Sequence, residues 1–320
     1  MVSPEMREMI DRLRLRMVDR AAAPPPLDVM REHFTLTGLP PYPMADDVVA
    51  QPISDSPVPG FWLDGADARP DRVLLFVHGA GFALGSARSH GELATRIGRA
   101  GRARVLFPEY RLAPEHPYPA GPQDVLAIWR WLREDQGVPA NSIAVAGDSA
   151  GANLLLGLIL ALRERGEEQP TAAVFLSPAL DLSGSGASMV EQDGVDPIFT
   201  PAMIHGIFAR YLAGTDPRSP AVSPLFADLA GLPPTLVQVG SAEVVLSDSE
   251  RFAAKADAAG VDVTLEVAPD LPHVYQAMRD TPEAIAATDR IGEFLDRHWQ
   301  LGSGPSSGPG QRAQGATTGS

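Results

Sequence analysis

Six short apolar runs recur along the middle of the chain: Val73 to Val77, Val105 to Phe107, Ile143 to Val145, Ala173 to Leu176, Leu236 to Val239 and Val263 to Val267. Helical patterns alternate with them, which reads as a succession of βαβ units. Most of the runs show no polar alternation, so the strands they form must be covered on both faces. That condition selects a parallel, doubly wound sheet, an α/β fold. Before this region, residues 4 to 20 place Met6, Ile10, Leu13, Met17 and Val18 near helical spacing, and the triple proline at 24–26 stops the pattern. A second short helix is expected over 27–34. Between Ser183 and Pro224 the rhythm breaks into a Gly/Ser-rich turn and a helix-like segment from Pro201 to Leu212, read as an insertion over the carboxyl edge of the sheet. Residues 302–320 carry almost no bulky apolar group, cannot offset their ordering entropy, and are expected to be disordered.

The 320 residues, 44% of them hydrophobic, suffice for one large domain with an accessory cap. The expected division is cap helices over 1–55, a core over 56–182 and 224–301, and a cap insertion over 183–223. A net charge of -14, with Lys255 the one lysine, argues against nucleic acid or an anionic membrane surface as partner. Cysteine is absent, which excludes a disulfide framework, a thiolate nucleophile and a cysteine-held metal. The first residues lack the apolar core of a signal peptide, and the longest apolar run, Leu154 to Leu162, is too short to span a bilayer. A soluble, cytoplasmic protein without membrane insertion is expected.

Chemistry concentrates at Gly147-Asp148-Ser149-Ala150-Gly151, between an apolar run and a long apolar helix pattern. A strand-to-helix turn this tight leaves no room for side chains around the serine, which explains the two glycines, and it holds the hydroxyl proud of the sheet at a helix N-terminus. A second match to the pattern, Gly304 to Gly308, has neither strand before it nor helix after it and is read as chance. A nucleophilic serine needs a base, and the base needs a partner that fixes its tautomer. His273 follows the last apolar run and so falls on the same carboxyl edge as Ser149. His33, His205 and His298 fall in helical patterns; His90 and His116 are expected in loops. For the acid, Glu243 directly follows the fifth run, with Asp248 as the alternative. The order serine, acid, histidine along the chain is that of α/β-hydrolases.

The loop His78-Gly79-Ala80-Gly81-Phe82 follows the first core run and offers backbone amides with few side chains in the way. The amides of Ala80, Gly81 and Ala150 are the expected oxyanion donors. The spacing Gly79-x-Gly81-x-x-x-Gly85 also suits a dinucleotide-binding loop, but no helix follows Gly81 at once, and that reading leaves Ser149, Glu243 and His273 unexplained. Phe82, Phe199, Met203 and Ile207 are the expected substrate-binding residues, with Ile204, Phe208 and Tyr211 beside them. No metal-ligand spacing is found, so no cofactor is expected.

These segments together resemble the bacterial branch of the hormone-sensitive lipase family of α/β-hydrolase carboxylesterases. The matching stretches are HGAG at 78–81, YRLAPEHPYPA at 110–120, GDSAG at 147–151, SPALDLSGSGAS at 177–188, GSAEVVLSDS and LPHVYQ, in the family's order over roughly residues 30–300. The chain departs from the pattern at Ala80, where the family has the middle glycine of HGGG, and at Glu243, where the acid is often Asp. The resemblance implies a helical cap built from the N-terminal helices and the 183–223 insertion, and a scaffold role for Tyr110, Arg111 and Glu115. It implies hydrolysis of short to medium acyl esters through an acyl-enzyme. Lactone or amide hydrolysis would use the same residues, and a ligand-binding protein on the same scaffold is the alternative of another class. An exposed last strand or final helix is a candidate homodimer surface.

Overall fold

The computed structural model describes residues 2–19, 26–35 and 42–302. Its strands are β1 (Val49–Pro52), β2 (Gly60–Asp64), β3 (Arg69–Val77), β4 (Ala103–Pro108), β5 (Ile143–Asp148), β6 (Ala172–Leu176), β7 (Thr235–Gly240) and β8 (Val263–Ala268). Its helices are α1 (Pro4–Asp19), α2 (Leu27–His33), α3 (Ala87–Ala100), α4 (Ala120–Arg130), α5 (Ala150–Arg165), α6 (Ser188–Glu191), α7 (Pro201–Leu212), α8 (Leu246–Ala258) and α9 (Pro282–Gly302). The strands form one sheet in the order β1-β2-β4-β3-β5-β6-β7-β8. From β4 to β8 all neighbours are parallel, while β2 pairs antiparallel with both β1 and β4.

All six apolar runs became strands, and every residue of β5, β6 and β7 is buried. Successive side chains of a strand point to opposite faces, and the two faces have separate cores. Leu75, Val77, Val145, Phe175 and Val237 pack with Leu155 and Ile159 of α5, Val125 of α4 and Phe252 of α8. Leu74, Phe76, Ala144, Val174 and Leu236 pack on the other side with Leu93 and Ile97 of α3 and Ile291, Leu295 and Trp299 of α9. Both faces are thus dry, which is what permits continuous apolar runs.

Two strands escaped the sequence reading. β1 carries Val-Ala-Gln-Pro with all four residues exposed, and β2 is only partly buried. β1 has no apolar run to notice, whereas β2 carries a three-residue one, Phe61-Trp62-Leu63, as short as that of β4. β1 also lies within 1–55, so that stretch is not helical cap throughout. Of the expected N-terminal helices, α1 buries Met6, Met9, Ile10 and Leu13 against Leu271, Tyr275, Met278 and Ala287. α2 is tied down by Arg31, whose guanidinium donates to the carbonyls of Ala83 and Ala113 and pairs bidentately with Glu115. Of the tail expected to be disordered, 302–320, Gly302 instead ends α9, and 303–320 lie outside the described residues. Among the described residues no helix is long and apolar enough to cross a membrane.

Candidate active site

β5 ends at Asp148 and α5 begins at Ala150, so Ser149 alone makes the turn, with φ 51° and ψ -117°. A non-glycine residue in this region stores on the order of 1–3 kcal/mol and persists only where its surroundings force it. The surroundings here are backbone. A Cβ on Gly151 would lie 2.0 Å from the Val77 carbonyl oxygen, and one on Gly147 would lie 2.7 Å from the same atom. The elbow is therefore pressed against the end of β3, and only glycine fits on either side. Ser149 N donates to Leu176 O at 2.8 Å and Ala179 N donates to Ser149 O at 3.2 Å, which fixes the turn to the end of β6.

Parallel pairing of β5 through β8 brings the loops that follow them to one edge. Glu243, fully buried, lies three residues past β7. One of its oxygens, Oε1, accepts hydrogen bonds from Gly240 N at 2.6 Å and Ser177 Oγ at 2.7 Å. The other, Oε2, lies 2.7 Å from His273 Nδ1. Ser177 Oγ in turn accepts from Val274 N at 2.9 Å, so one hydroxyl after β6 ties the acid loop to the histidine loop. Burial pulls the His273 imidazole down, but the charge of Glu243 and its hydrogen bond outweigh this, and the pKa stands above 6.5. The Phe199 ring meets the imidazole edge-on, with centroids 5.1 Å apart. Among the described residues the Ser149 hydroxyl forms no hydrogen bond to the imidazole; such contacts commonly tighten only when substrate is bound.

Asp248, the alternative acid, does not touch His273. It lies in the first turn of α8, and its Oδ2 accepts from Leu180 N at 2.8 Å and Asp181 N at 2.9 Å, which anchors the loop after β6. Burial pushes its pKa up to about 7.

The loop after β3 takes three consecutive positive φ values, at Ala80, Gly81 and Phe82. Gly79 donates its amide to Asp148 Oδ1 at 3.1 Å, and a Cβ on it would lie 2.3 Å from Asp148 Oδ2 and 3.0 Å from Ser149 Cβ. The loop thus rests directly on the elbow. Among the described residues the amides of Ala80, Gly81 and Ala150 donate no hydrogen bond, which leaves three donors beside one serine. Helix α7 lies over the loop: a Cβ on Gly81 would meet Ile207 Cγ2 at 2.5 Å, and Tyr211 stacks on Phe82 with centroids 3.7 Å apart. Phe82 is 1% exposed, so its ring joins loop to α7, and the accessible apolar surface falls to the half-buried Phe199, Met203 and Ile207.

His90, expected in a loop, instead lies in α3 and is fully buried beside Asp148. The polar Ser-Ala-Arg-Ser stretch before it is a capping segment, with Ser86 and Ser89 in reciprocal hydrogen bonds. Two further residues had no role assigned from the sequence: Ser177, although it opens the SPALDLSGSGAS stretch, and Asp196, whose carboxylate accepts from Ile198, Phe199 and Val244 amides and so sets the turn that presents Phe199.

Residues 74–277 match a family model described as the alpha/beta hydrolase fold. An acetyl-hydrolase of Streptomyces hygroscopicus is 44% identical over 230 residues, which is 71% of this chain and 77% of that protein. An esterase of Acinetobacter venetianus is 36% identical over 255 residues, 79% and 84% of the two chains. The crystal structure of an esterase from the bacterial hormone-sensitive lipase family superposes with a TM-score of 0.86 at 41% identity, covering 93% of this chain and 99% of that one. The chain belongs to the α/β-hydrolase family, in its bacterial hormone-sensitive lipase branch of esterases.

Proposed function

We propose that this chain is a serine carboxylesterase acting on short to medium acyl esters through an acyl-enzyme, with Ser149 as nucleophile, His273 as base and Glu243 as its carboxylate partner. The observation that carries the reading is the buried 2.7 Å contact between Glu243 and His273 Nδ1, on a loop delivered to the same sheet edge as the strained serine elbow. With Nδ1–H held by the carboxylate, Nε2 is left as the lone-pair nitrogen that can take the serine proton. Ser149 Oγ then attacks the ester carbonyl, and the oxyanion that forms meets the amides of Ala80, Gly81 and Ala150. The imidazolium, stabilised by Glu243, returns the proton to the leaving alcohol. Water, deprotonated by the same imidazole, attacks the acyl carbon and releases the acid. No metal or organic cofactor enters these steps.

Ile207 over Gly81 bounds the space beside the oxyanion loop, which favours short acyl groups, and the acetyl-hydrolase relative is in keeping with that preference. Phe199 and Met203 supply apolar surface on the cap side. Hydrolysis of p-nitrophenyl esters from acetate to decanoate tests the proposal. Turnover should be greatest at acetate or butyrate, and Ser149→Ala should abolish it while leaving the melting temperature within a few degrees. Undiminished turnover by Ser149→Ala, or preference for lactones or amides over every ester, would overturn it.

A further inference from the structure

Behind the serine elbow lies a second line of buried polar groups that the proposed chemistry does not use. Ser89 Oγ lies 2.8 Å from His90 Nδ1; His90 Nε2 faces Asp148 Oδ2 at 3.6 Å; and Asp148 Oδ1 accepts the Gly79 amide at 3.1 Å. His90 is fully buried and Asp148 is 1% exposed. Neither His90 Nε2 nor Asp148 Oδ2 has a hydrogen-bond partner among the described residues, and the 3.6 Å approach between them is an ion-pair contact. A carboxylate withdrawn from water this completely is costly unless a donor faces it. The single Ser89 hydroxyl proton has two acceptors in reach, the Ser86 carbonyl at 3.1 Å and His90 Nδ1 at 2.8 Å; given to the nearer Nδ1, it leaves the His90 proton on Nε2, facing that carboxylate.

The line ends on the peptide that leads into the oxyanion loop. Asp148 fixes the Gly79 N–H. The Gly79 carbonyl is held by His78 Nδ1 at 3.1 Å, with the Tyr110 hydroxyl at 3.4 Å. In a trans peptide the carbonyl and the following N–H point in opposite directions. The direction of the Ala80 amide is therefore set once Gly79 is pinned on both sides. Three successive residues at positive φ give this loop little preference of its own for the observed shape. Burial pulls the His78 pKa down to about 3, so it acts as a neutral donor.

We propose that Ser89, His90 and Asp148 form a buried positioning relay that holds the Ala80 and Gly81 amides in register with Ser149. The proposal rests on the esterase reading above. None of the three touches substrate; each acts through the Gly79 amide.

The test compares His90→Leu, His90→Gln and Ser89→Ala with the parent on p-nitrophenyl acetate, and measures inhibition by a short-chain trifluoromethyl ketone. Removing one oxyanion donor outright costs roughly 10²- to 10³-fold in rate. Misdirecting the loop should therefore lower kcat of His90→Leu by about tenfold or more, with KM changed less than about threefold. Ketone affinity should fall in step with kcat/KM. His90→Gln, whose amide N–H can replace Nε2–H, should recover most of the loss, and Ser89→Ala should show a smaller one. Two results would overturn the relay: kcat of His90→Leu within twofold of the parent, or equal losses in Leu and Gln that follow melting temperature while ketone affinity stays fixed. A parent that neither turns over ester nor is labelled by a fluorophosphonate instead defeats the esterase reading itself, and the relay with it.

Discussion

Replacing Glu243 with Gln separates the acid from every other role in the site. The side chain is fully buried and receives three hydrogen bonds, two on Oε1 and one on Oε2. Gln keeps the shape and can keep its carbonyl toward Gly240 N and Ser177 Oγ. Its amide nitrogen then occupies the place of Oε2 and presents N–H to His273 Nδ1. The imidazole must answer with a lone pair at Nδ1, which moves its proton to Nε2, the nitrogen that should accept from Ser149. A wrong-tautomer substitution of this kind in a serine hydrolase lowers kcat by about 10⁴-fold, or roughly 5 kcal/mol of transition-state stabilisation. A loss of about 10³- to 10⁴-fold is expected here, with KM little changed because Glu243 lies beneath the site. The assay is steady-state hydrolysis of p-nitrophenyl acetate, with circular dichroism melting to confirm folding and Asp248→Asn as control. Asp248 accepts only backbone amides remote from the imidazole, so its variant should keep kcat within about threefold of the parent. A folded Glu243→Gln enzyme retaining more than about a tenth of parental kcat, or a larger loss at Asp248→Asn, would refute the argument.

Three more outcomes follow from the same geometry. Because the Glu243 charge holds the His273 pKa above 6.5 against burial, kcat/KM should rise with pH along a limb whose midpoint lies above 6.5, and Glu243→Gln should move any residual limb downward. Asp248 has a folded pKa raised to about 7, so the folded state binds the extra proton between about pH 4 and 7 and stability falls as pH rises through that window. Chemical denaturation of Asp248→Asn against the parent should show the variant gaining relative stability at pH 8 and losing that advantage near pH 4. Ser149→Gly relieves the positive-φ strain that Ser149→Ala keeps, and should unfold at higher urea by about 1 kcal/mol equivalent.

Much of the site was legible because its chemistry imposes local rules. The elbow needs glycine on both sides of Ser149, since the Val77 carbonyl leaves no room for a Cβ there, and that requirement is written into five adjacent letters. The loops carrying Glu243 and His273 were placed by the alternation of apolar runs, because parallel strands deliver all their following loops to one edge. β1 was not legible, since an exposed edge strand demands no apolar run, and β2 was signalled only by the short Phe61-Trp62-Leu63. A polar capping segment and a loop have the same composition, so nothing local marks the helix that carries His90.

The sequence by itself determined the layered α/β core, the tight strand-to-helix turn at Ser149 and the chain order of the loops that carry Glu243 and His273, because these depend on local sterics and on burial periodicity. Only the tertiary structure decided that Glu243 rather than Asp248 reaches the imidazole, that Ser177 bridges their loops, that Phe82 supports α7, and that His90 backs Asp148. Each of those is a contact between side chains far apart in the chain, fixed by the packing of helices and loops on the sheet, and neither composition nor spacing encodes a distance across a core.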